Sequence, residues 1–178
     1  MEHLDVKKYN ISLLTLTSLI NIKNGHNIRV LYNQKDLYIQ SPLCVVSDIN
    51  IKNKQKYMKV TFLLSTNFSY FQFFCGLNQQ IIDHLERMKG IHNNILLGKE
   101  EVEKKFDSSS KRENDTSMSL YIKLNNETQY FDKNKSEISG LEIIPGDKVV
   151  IILETKGVFV DKSTANFRWS GTQVLKFK

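Results

Sequence analysis

Asp147-Lys-Val-Val-Ile-Ile-Leu-Glu-Thr-Lys-Gly157-Val-Phe-Val-Asp-Lys-Ser-Thr-Ala-Asn-Phe167-Arg-Trp169-Ser-Gly-Thr-Gln-Val-Leu-Lys-Phe-Lys178 is the stretch on which the reading of this chain turns. Its apolar run from Val149 to Leu153 has the length and β-branched content of a buried strand. Gly157 separates that run from a second short strand, and a third strand carries Phe167 and the only tryptophan, Trp169. Lysines and one arginine are interleaved with the aromatics. That mixture suits a surface that grips a flexible anionic polymer with exposed bases. It suits a catalytic pocket poorly.

Working outward, Pro145-Gly-Asp147 is a turn into this run. Residues 118–124 form a strand with Leu120, Ile122 and Leu124 on one face. Residues 107–117 contain no apolar side chain and are expected to form an exposed, flexible loop. The polar stretch 125–139 is expected to be irregular. Upstream, Phe71, Phe74, Cys75, Ile81, Ile82, Leu85 and Met88 recur at three-and-four spacing, which predicts a helix over 69–89. A shorter helix is expected around 99–106. Residues 57–64 alternate, with Tyr57, Lys59, Thr61 and Leu63 on one side and Met58, Val60, Phe62 and Leu64 on the other. Residues 48–56 read as a polar connector. Residues 29–40 read as a hairpin turning at Asn33-Gln-Lys-Asp36, and 9–22 read weakly as strand. A helix in the middle of a meandering set of strands predicts a β-rich, OB-like barrel, its one main helix inserted between the N-terminal and C-terminal strand groups. In that layout the helix falls between the third and fourth strands. A plain α+β sheet is the competing layout.

The chain has 178 residues and 40% hydrophobic content, enough for one domain with a real core. Its net charge is +6. Residues 1–60 hold nine basic and four acidic side chains, and residues 145–178 hold six and three, so the excess sits at the two ends. Such a field raises the local concentration of a polyanion, although lysine-rich composition also serves plain solubility. No signal peptide and no apolar run of about 20 residues is present, so neither a secreted nor a membrane-spanning protein is expected. Cys44 and Cys75 have no metal or CxxC spacing, which leaves inert thiols or a mutual disulfide. Phosphate-loop, nucleophile-elbow and zinc-protease motifs are missing, and His3, His26, His84 and His92 lack partner ligands. The sequence calls for no enzyme, no cofactor and no metal.

The candidate contacts are therefore rings and cations. Tyr32, Tyr38, Phe159 and Trp169 are stacking candidates. Arg29, Lys35, Lys52, Lys54, Lys56, Lys156, Lys162 and Arg168 are phosphate candidates. Lys52, Lys54 and Lys56 alternate and would share one side of an extended segment. Strand alternation puts Phe167 and Trp169 on one face and Arg168 on the other. For each of these aromatics, filling the barrel is at least as well supported as stacking. Tyr32 and Tyr38, flanking a hairpin turn, are the better surface candidates, because a phenol hydroxyl is easily satisfied in water.

Two segments carry a resemblance. Leu37-Tyr-Ile-Gln-Ser-Pro42 and the closing Gly157, Phe159, Phe167-Arg-Trp169 and Gln173-Val174 resemble the OB-fold single-stranded DNA-binding proteins of the large nucleocytoplasmic DNA viruses, the African swine fever virus type. The similarity covers about a third of the chain. It implies non-catalytic, largely sequence-independent binding of single-stranded DNA in viral replication, recombination or repair. It also implies an intracellular site, the host cytoplasm or nucleus where viral DNA is copied. RNA or duplex shape as the target, self-association through strand edges, and a structural or protein-interaction role in a virion or replication complex are the alternatives.

Overall fold

The computed structural model describes residues 3–23, 25–89, 99–161 and 163–177. In chain order the strands are β1 (Leu14–Leu16), β2 (Ile20–Ile22), β3 (Gly25–Ile28), β4 (Val30–Tyr32), β5 (Lys35–Asp36), β6 (Tyr38–Gln40), β7 (Cys44–Lys52) and β8 (Gln55–Leu63). Helices α1 (Phe68–Lys89) and α2 (Lys99–Lys105) follow. Then come β9 (Phe106–Ser108), β10 (Ser110–Arg112), β11 (Ser117–Phe131), β12 (Lys148–Val160) and β13 (Ala165–Phe177).

Five of these strands close on themselves. β7 pairs with β8, β8 with β11, β11 with β13, β13 with β12, and β12 with β7. Every seam is antiparallel except β11–β13, which is parallel. This is an OB-like barrel. The helices lie between its second and third strands, β8 and β11, and not between the third and fourth as the sequence reading placed them. α1 still matches the predicted 69–89 within a residue, and α2 matches the predicted 99–106.

The barrel interior follows from alternation. Met58, Val60 and Phe62 of β8 and Leu120, Ile122 and Leu124 of β11 are buried, as are Val149, Ile151 and Leu153 of β12. Phe73, Leu77, Ile81, Leu85 and Met88 form the buried stripe of α1, with Phe74 beside it. Each such side chain contributes roughly 1.5–3 kcal/mol on burial. Ser108 donates to Asn78 of α1, and Asn78 donates to Ser110, so a polar strap ties β9 and β10 to the helix.

Pro42 lacks an N–H and would break the ladder beside β12. Ser41 repairs it: its N–H donates to the Ile151 carbonyl at 2.7 Å, and its hydroxyl accepts from the Ile151 N–H at 2.9 Å. β6 and β7 therefore act as one interrupted strand along β12.

Several expectations change here. The terminal run is two strands of 13 residues, not three. Gly157 marks a bulge inside β12, between Thr155 and Val158. Its φ of +84° favours glycine, and a Cβ there would collide with the Ile28 carbonyl oxygen. The expected connector 48–56 is the tip of the β7–β8 hairpin, turning at Asn53 and Lys54 with φ of +52° and +63°. Two positive φ values make this a type I′ turn, which suits the twist of the flanking strands. The 29–40 hairpin turns the same way at Asn33–Gln34, but its return strand is only β5, and β6 joins the barrel. The polar stretch 107–117 holds β9 and β10, and Ser108, Ser109 and Ser110 are buried. The first half of 125–139 continues β11 to Phe131. The weak strand of 9–22 is two 3-residue strands preceded by one 3-10 turn, Ile11–Leu13. Both cysteines are free, Cys44 buried and Cys75 exposed.

Candidate nucleic-acid interface

The outer row of β8 is Gln55, Tyr57, Lys59, Thr61 and Leu63. Its partner row on β11 is Ser119, Tyr121 and Lys123. The register sets Lys59 opposite Tyr121 and Tyr57 opposite Lys123. Two tyrosines and two lysines thus occupy the diagonals of one four-residue lattice. Residues facing each other in an antiparallel pair hold their Cβ atoms about 5 Å apart. Tyr121 is 38% exposed. The Lys59 ammonium lies 5.2 Å from its ring centroid, and Lys111 of β10 approaches to 5.8 Å from the same ring. Hydrogen bonds to Glu113 and Tyr121 hold the Lys59 ammonium above its ordinary pKa. Lys111 joins this outer face because it pairs with Ser119.

The lattice continues at both ends. Beyond Tyr57 the β7–β8 tip presents Lys52 and Lys54, both exposed, and neither they nor Lys123 make an ion pair among the described residues. Beyond Tyr121 lies Arg168 on β13, half-buried, donating to Asp107 and to Asn166. Asn166 sits opposite Phe159 of β12. The face thus runs from the β7–β8 tip across β8 and β11 toward the β12–β13 connection. In OB barrels this second-to-third-strand face, with the loops after the first and fourth strands, binds oligomers.

The sequence-chosen residues divide among three places. Lys52 and Lys54 stand on the tip as exposed cations, and Arg168 and Phe159 border the far end of the same face. Phe159 is half-buried, its ring beside Gly25. Arg29 and Lys156 meet elsewhere, around an open cleft of about 260 Å³ lined also by Asp36 and Glu154, with Tyr38 joined to its wall through Glu154. There Arg29 pairs with Asp36 at 2.8 Å, Lys156 pairs with Glu154, and the Tyr38 hydroxyl donates to Glu154 at 3.1 Å. Burial, and then the Glu154 carboxylate, hold the Tyr38 phenol above its ordinary pKa. Lys35 is exposed on β5. Lys162 lies outside the described residues.

Three choices are corrected. Trp169 is 0% exposed, edge-on to Phe74 at 5.9 Å and to Phe167 at 5.3 Å. A ring with neither face free cannot stack on a base, so Trp169 is barrel core. Lys56 does not share a side with Lys52. The tight turn puts it opposite Ile51, on the inward row with Met58, where its ammonium donates to the Gly140 carbonyl at 2.9 Å and lies over the Tyr130 ring. Burial lowers its pKa. Tyr32 is half-buried, stacked on Tyr9 at 5.7 Å, and its hydroxyl accepts from the Asn10 N–H. Its ring serves the small β1–β4–β5 sheet.

Tyr57, Lys59, Tyr121 and Lys123 were not chosen from the sequence. Alternation does mark Tyr57 with Lys59, and Tyr121 with Lys123, as outward pairs. What brings the two pairs together is the β8–β11 register, across a separation of some 60 residues.

Among the described residues no group of three or more His, Cys, Asp or Glu side chains converges as a metal site would require. No described helix is long and apolar enough to cross a membrane.

No protein-family model and no curated protein matches the sequence. Solved structures do share the fold. The barrel is similar to gp2.5, a single-stranded DNA-binding protein encoded by bacteriophage T7, with a TM-score of 0.57 at 10% identity over 79% of this chain and 91% of that one. It is also similar to the single-stranded DNA-binding protein from bacteriophage Enc34, with a TM-score of 0.52 at 16% identity over 91% of this chain and 89% of that one. The Enc34 protein in complex with single-stranded DNA superposes with a TM-score of 0.50 at 14% identity, over 89% and 94% of the two chains. At these identities the likeness is one of fold.

Proposed function

We propose that this chain binds single-stranded DNA without catalysis and with little sequence preference, along the outer face of β8 and β11. The observation that carries the reading is the cross-strand lattice of Tyr57, Lys59, Tyr121 and Lys123, flanked by Lys52 and Lys54, which make no ion pair among the described residues. Every unpaired base offers a flat face to a tyrosine, whatever its identity, while the lysines meet the phosphates between bases. Stacked bases inside a duplex offer no such face, so the ligand is the unpaired strand. The likeness to phage proteins that bind single-stranded DNA supports the same assignment.

A role in viral DNA replication, recombination or repair, at the place in the host cell where that DNA is copied, belongs to this reading. The finer resemblance to the African swine fever virus type rests on residues 37–42 and the closing strands. In the fold the first of these segments is structural: Leu37 and Ile39 are buried, and Ser41 bridges the gap at Pro42.

Fluorescence anisotropy with labelled oligo-dT at low and high salt tests the proposal. The expected result is saturable binding that weakens steeply with salt, is competed by unlabelled oligo-dT, and is competed poorly by duplex DNA. Competition by oligo-U measures the preference for DNA over RNA. Absence of oligo-dT binding at low salt, or equal competition by duplex, would overturn it.

A further inference from the structure

Two cations, Lys59 and Lys111, stand over Tyr121, Arg168 lies next along the face, and each of the three is already held by a carboxylate from one short segment. Lys59 pairs with Glu113 at 3.0 Å, and Lys111 pairs with Asp107 at 2.8 Å. Arg168 also pairs with Asp107. Asp107 lies on β9 and Glu113 just after β10, so 107–113 supplies both carboxylates. Their side chains are 44% and 34% exposed. Exposed pairs of this kind contribute little to stability. The Glu113 carboxyl lies below its ordinary pKa through the hydrogen bond from Lys59 and then that from Ser119. Burial pushes Asp107 up, but hydrogen bonds from Lys111 and Arg168 outweigh it and leave a net lowering. Both groups are therefore anionic at neutral pH, at positions where a backbone phosphate would meet the same cations.

We infer that Asp107 and Glu113 are specificity-determining residues, built-in competitors for phosphate that make base stacking decide what binds at Tyr121. The inference rests on the single-stranded DNA reading of this face and concerns how that face selects its ligand. A phosphate that takes Lys59 must displace Glu113, and the freed carboxylate then gathers a cation from solution. The exchange releases no net counterion, so Lys59 adds little to the salt dependence of binding. A polyanion without accessible base faces gains nothing further from the exchange. A single strand gains the stacking of a base on Tyr121. The carboxylates thus weaken bare electrostatic attraction more than they weaken capture of unpaired bases.

The test is Glu113→Gln, measured by anisotropy with oligo-dT and with duplex DNA across a salt series. The expected result is oligo-dT binding tighter by about two- to fivefold at low salt, the range spanned by an exposed ion pair. The salt slope should steepen by about 0.7, one added phosphate contact on a single strand. Duplex affinity should rise by more than oligo-dT affinity, so selectivity falls. Glu103→Gln on α2 adds the same charge at an exposed residue without an ion pair among the described residues, and should change none of these. In a Lys59→Ala background the effect of Glu113→Gln should vanish. Unchanged or weaker oligo-dT binding by Glu113→Gln overturns the inference, since Glu113 would then be positioning Lys59. An equal gain in Glu103→Gln overturns it as well, because net charge alone would be at work. Failure of the wild-type protein to bind oligo-dT is a separate result, which removes the reading of the face itself. Asp107→Asn is the second variant, expected to change binding in the same direction by freeing Lys111 and Arg168 together.

Discussion

On the outer face of β8 and β11, Lys59 and Lys111 stand over an exposed Tyr121 ring, with Lys123 and Tyr57 alongside and unpaired lysines at the nearby tip. In the cleft beside β12, Arg29 and Lys156 also meet, with Tyr38 joined to the cleft wall, but Asp36 and Glu154 neutralise both cations and Glu154 takes the phenol hydroxyl. The composition of the two sites is nearly the same, tyrosine with basic residues on β-strands. What differs is the remainder after local pairing. The cleft has no net positive charge left, whereas the β8–β11 face keeps Lys52, Lys54 and Lys123 in reserve. A count of rings and cations along the chain therefore does not locate a polyanion site. The count has to follow the ion pairs.

The largest effect expected from any variant lies inside the barrel and sharpens the boundary between core and surface. Trp169→Ala removes a fully buried indole packed on Phe74 and Phe167, and should lower unfolding stability by about 3–5 kcal/mol. Urea denaturation measures it. If Trp169→Ala leaves stability intact and abolishes oligo-dT binding, the indole faces the ligand and the assignment of inside and outside on β13 is wrong.

Next come the two tyrosines that the comparison opposes. Tyr121→Ala should weaken oligo-dT binding by about 1–3 kcal/mol, the measured range for a base stacked on an aromatic ring. Its salt slope should stay unchanged, because no phosphate contact is lost. Tyr38→Ala should leave binding within about twofold, since its hydroxyl is held by Glu154 of the neutral cleft and its ring makes no stacking contact in this reading. Reversal of the two results would move the binding site to the cleft.

How far the sequence carried the fold can be judged on particular elements. The α1 stripe and the alternation of 57–64 and 118–124 were legible because burial on one face writes a period into the residues themselves. The tip at Asn53–Lys54 was not. Only Ile49 and Ile51 are apolar in 48–56, and Ile51 is exposed, because the hairpin projects beyond the barrel and has little core to record. β9 and β10 were hidden for a related reason: serines fill the seam beside β13, and their burial is satisfied by Asn78 and by backbone. The site suffered most. Arg29 and Tyr38 are near each other in sequence and were visible together, while Tyr57 and Lys123 meet only through register. Pairing across a barrel leaves no local signal, whereas Glu154 stands two residues from Lys156 on the same strand, within reach of a reading by alternation.

Salt dependence separates the two regions on a finer scale. Lys123→Ala removes an unpaired cation from the lattice and should flatten the slope of log affinity against log salt by about 0.7, one phosphate contact on a single strand. Lys156→Ala removes a cation already held by Glu154 and should leave the slope unchanged. Titrations at four or five salt concentrations resolve the difference. Equal flattening by both would show that the cleft, too, contacts the phosphate chain.

The smallest effect distinguishes neighbours on one hairpin. Lys54 projects from the tip, and Lys56, two residues on, is turned inward to the Gly140 carbonyl and the Tyr130 ring. Lys54→Ala should lower the salt slope by no more than about 0.7, because a tip lysine meets phosphate only part of the time. Lys56→Ala should leave the slope alone and lower stability by about 1 kcal/mol, the net value of a typical intramolecular hydrogen bond. The alternation of Lys52, Lys54 and Lys56 in the sequence treats the three as equals. A type I′ turn between the first and last of them puts Lys56 on the opposite face, and paired slope and stability measurements on the two variants read that reversal directly. Loss of slope without loss of stability in Lys56→Ala would mean that the hairpin opens on the ligand and presents its inward row.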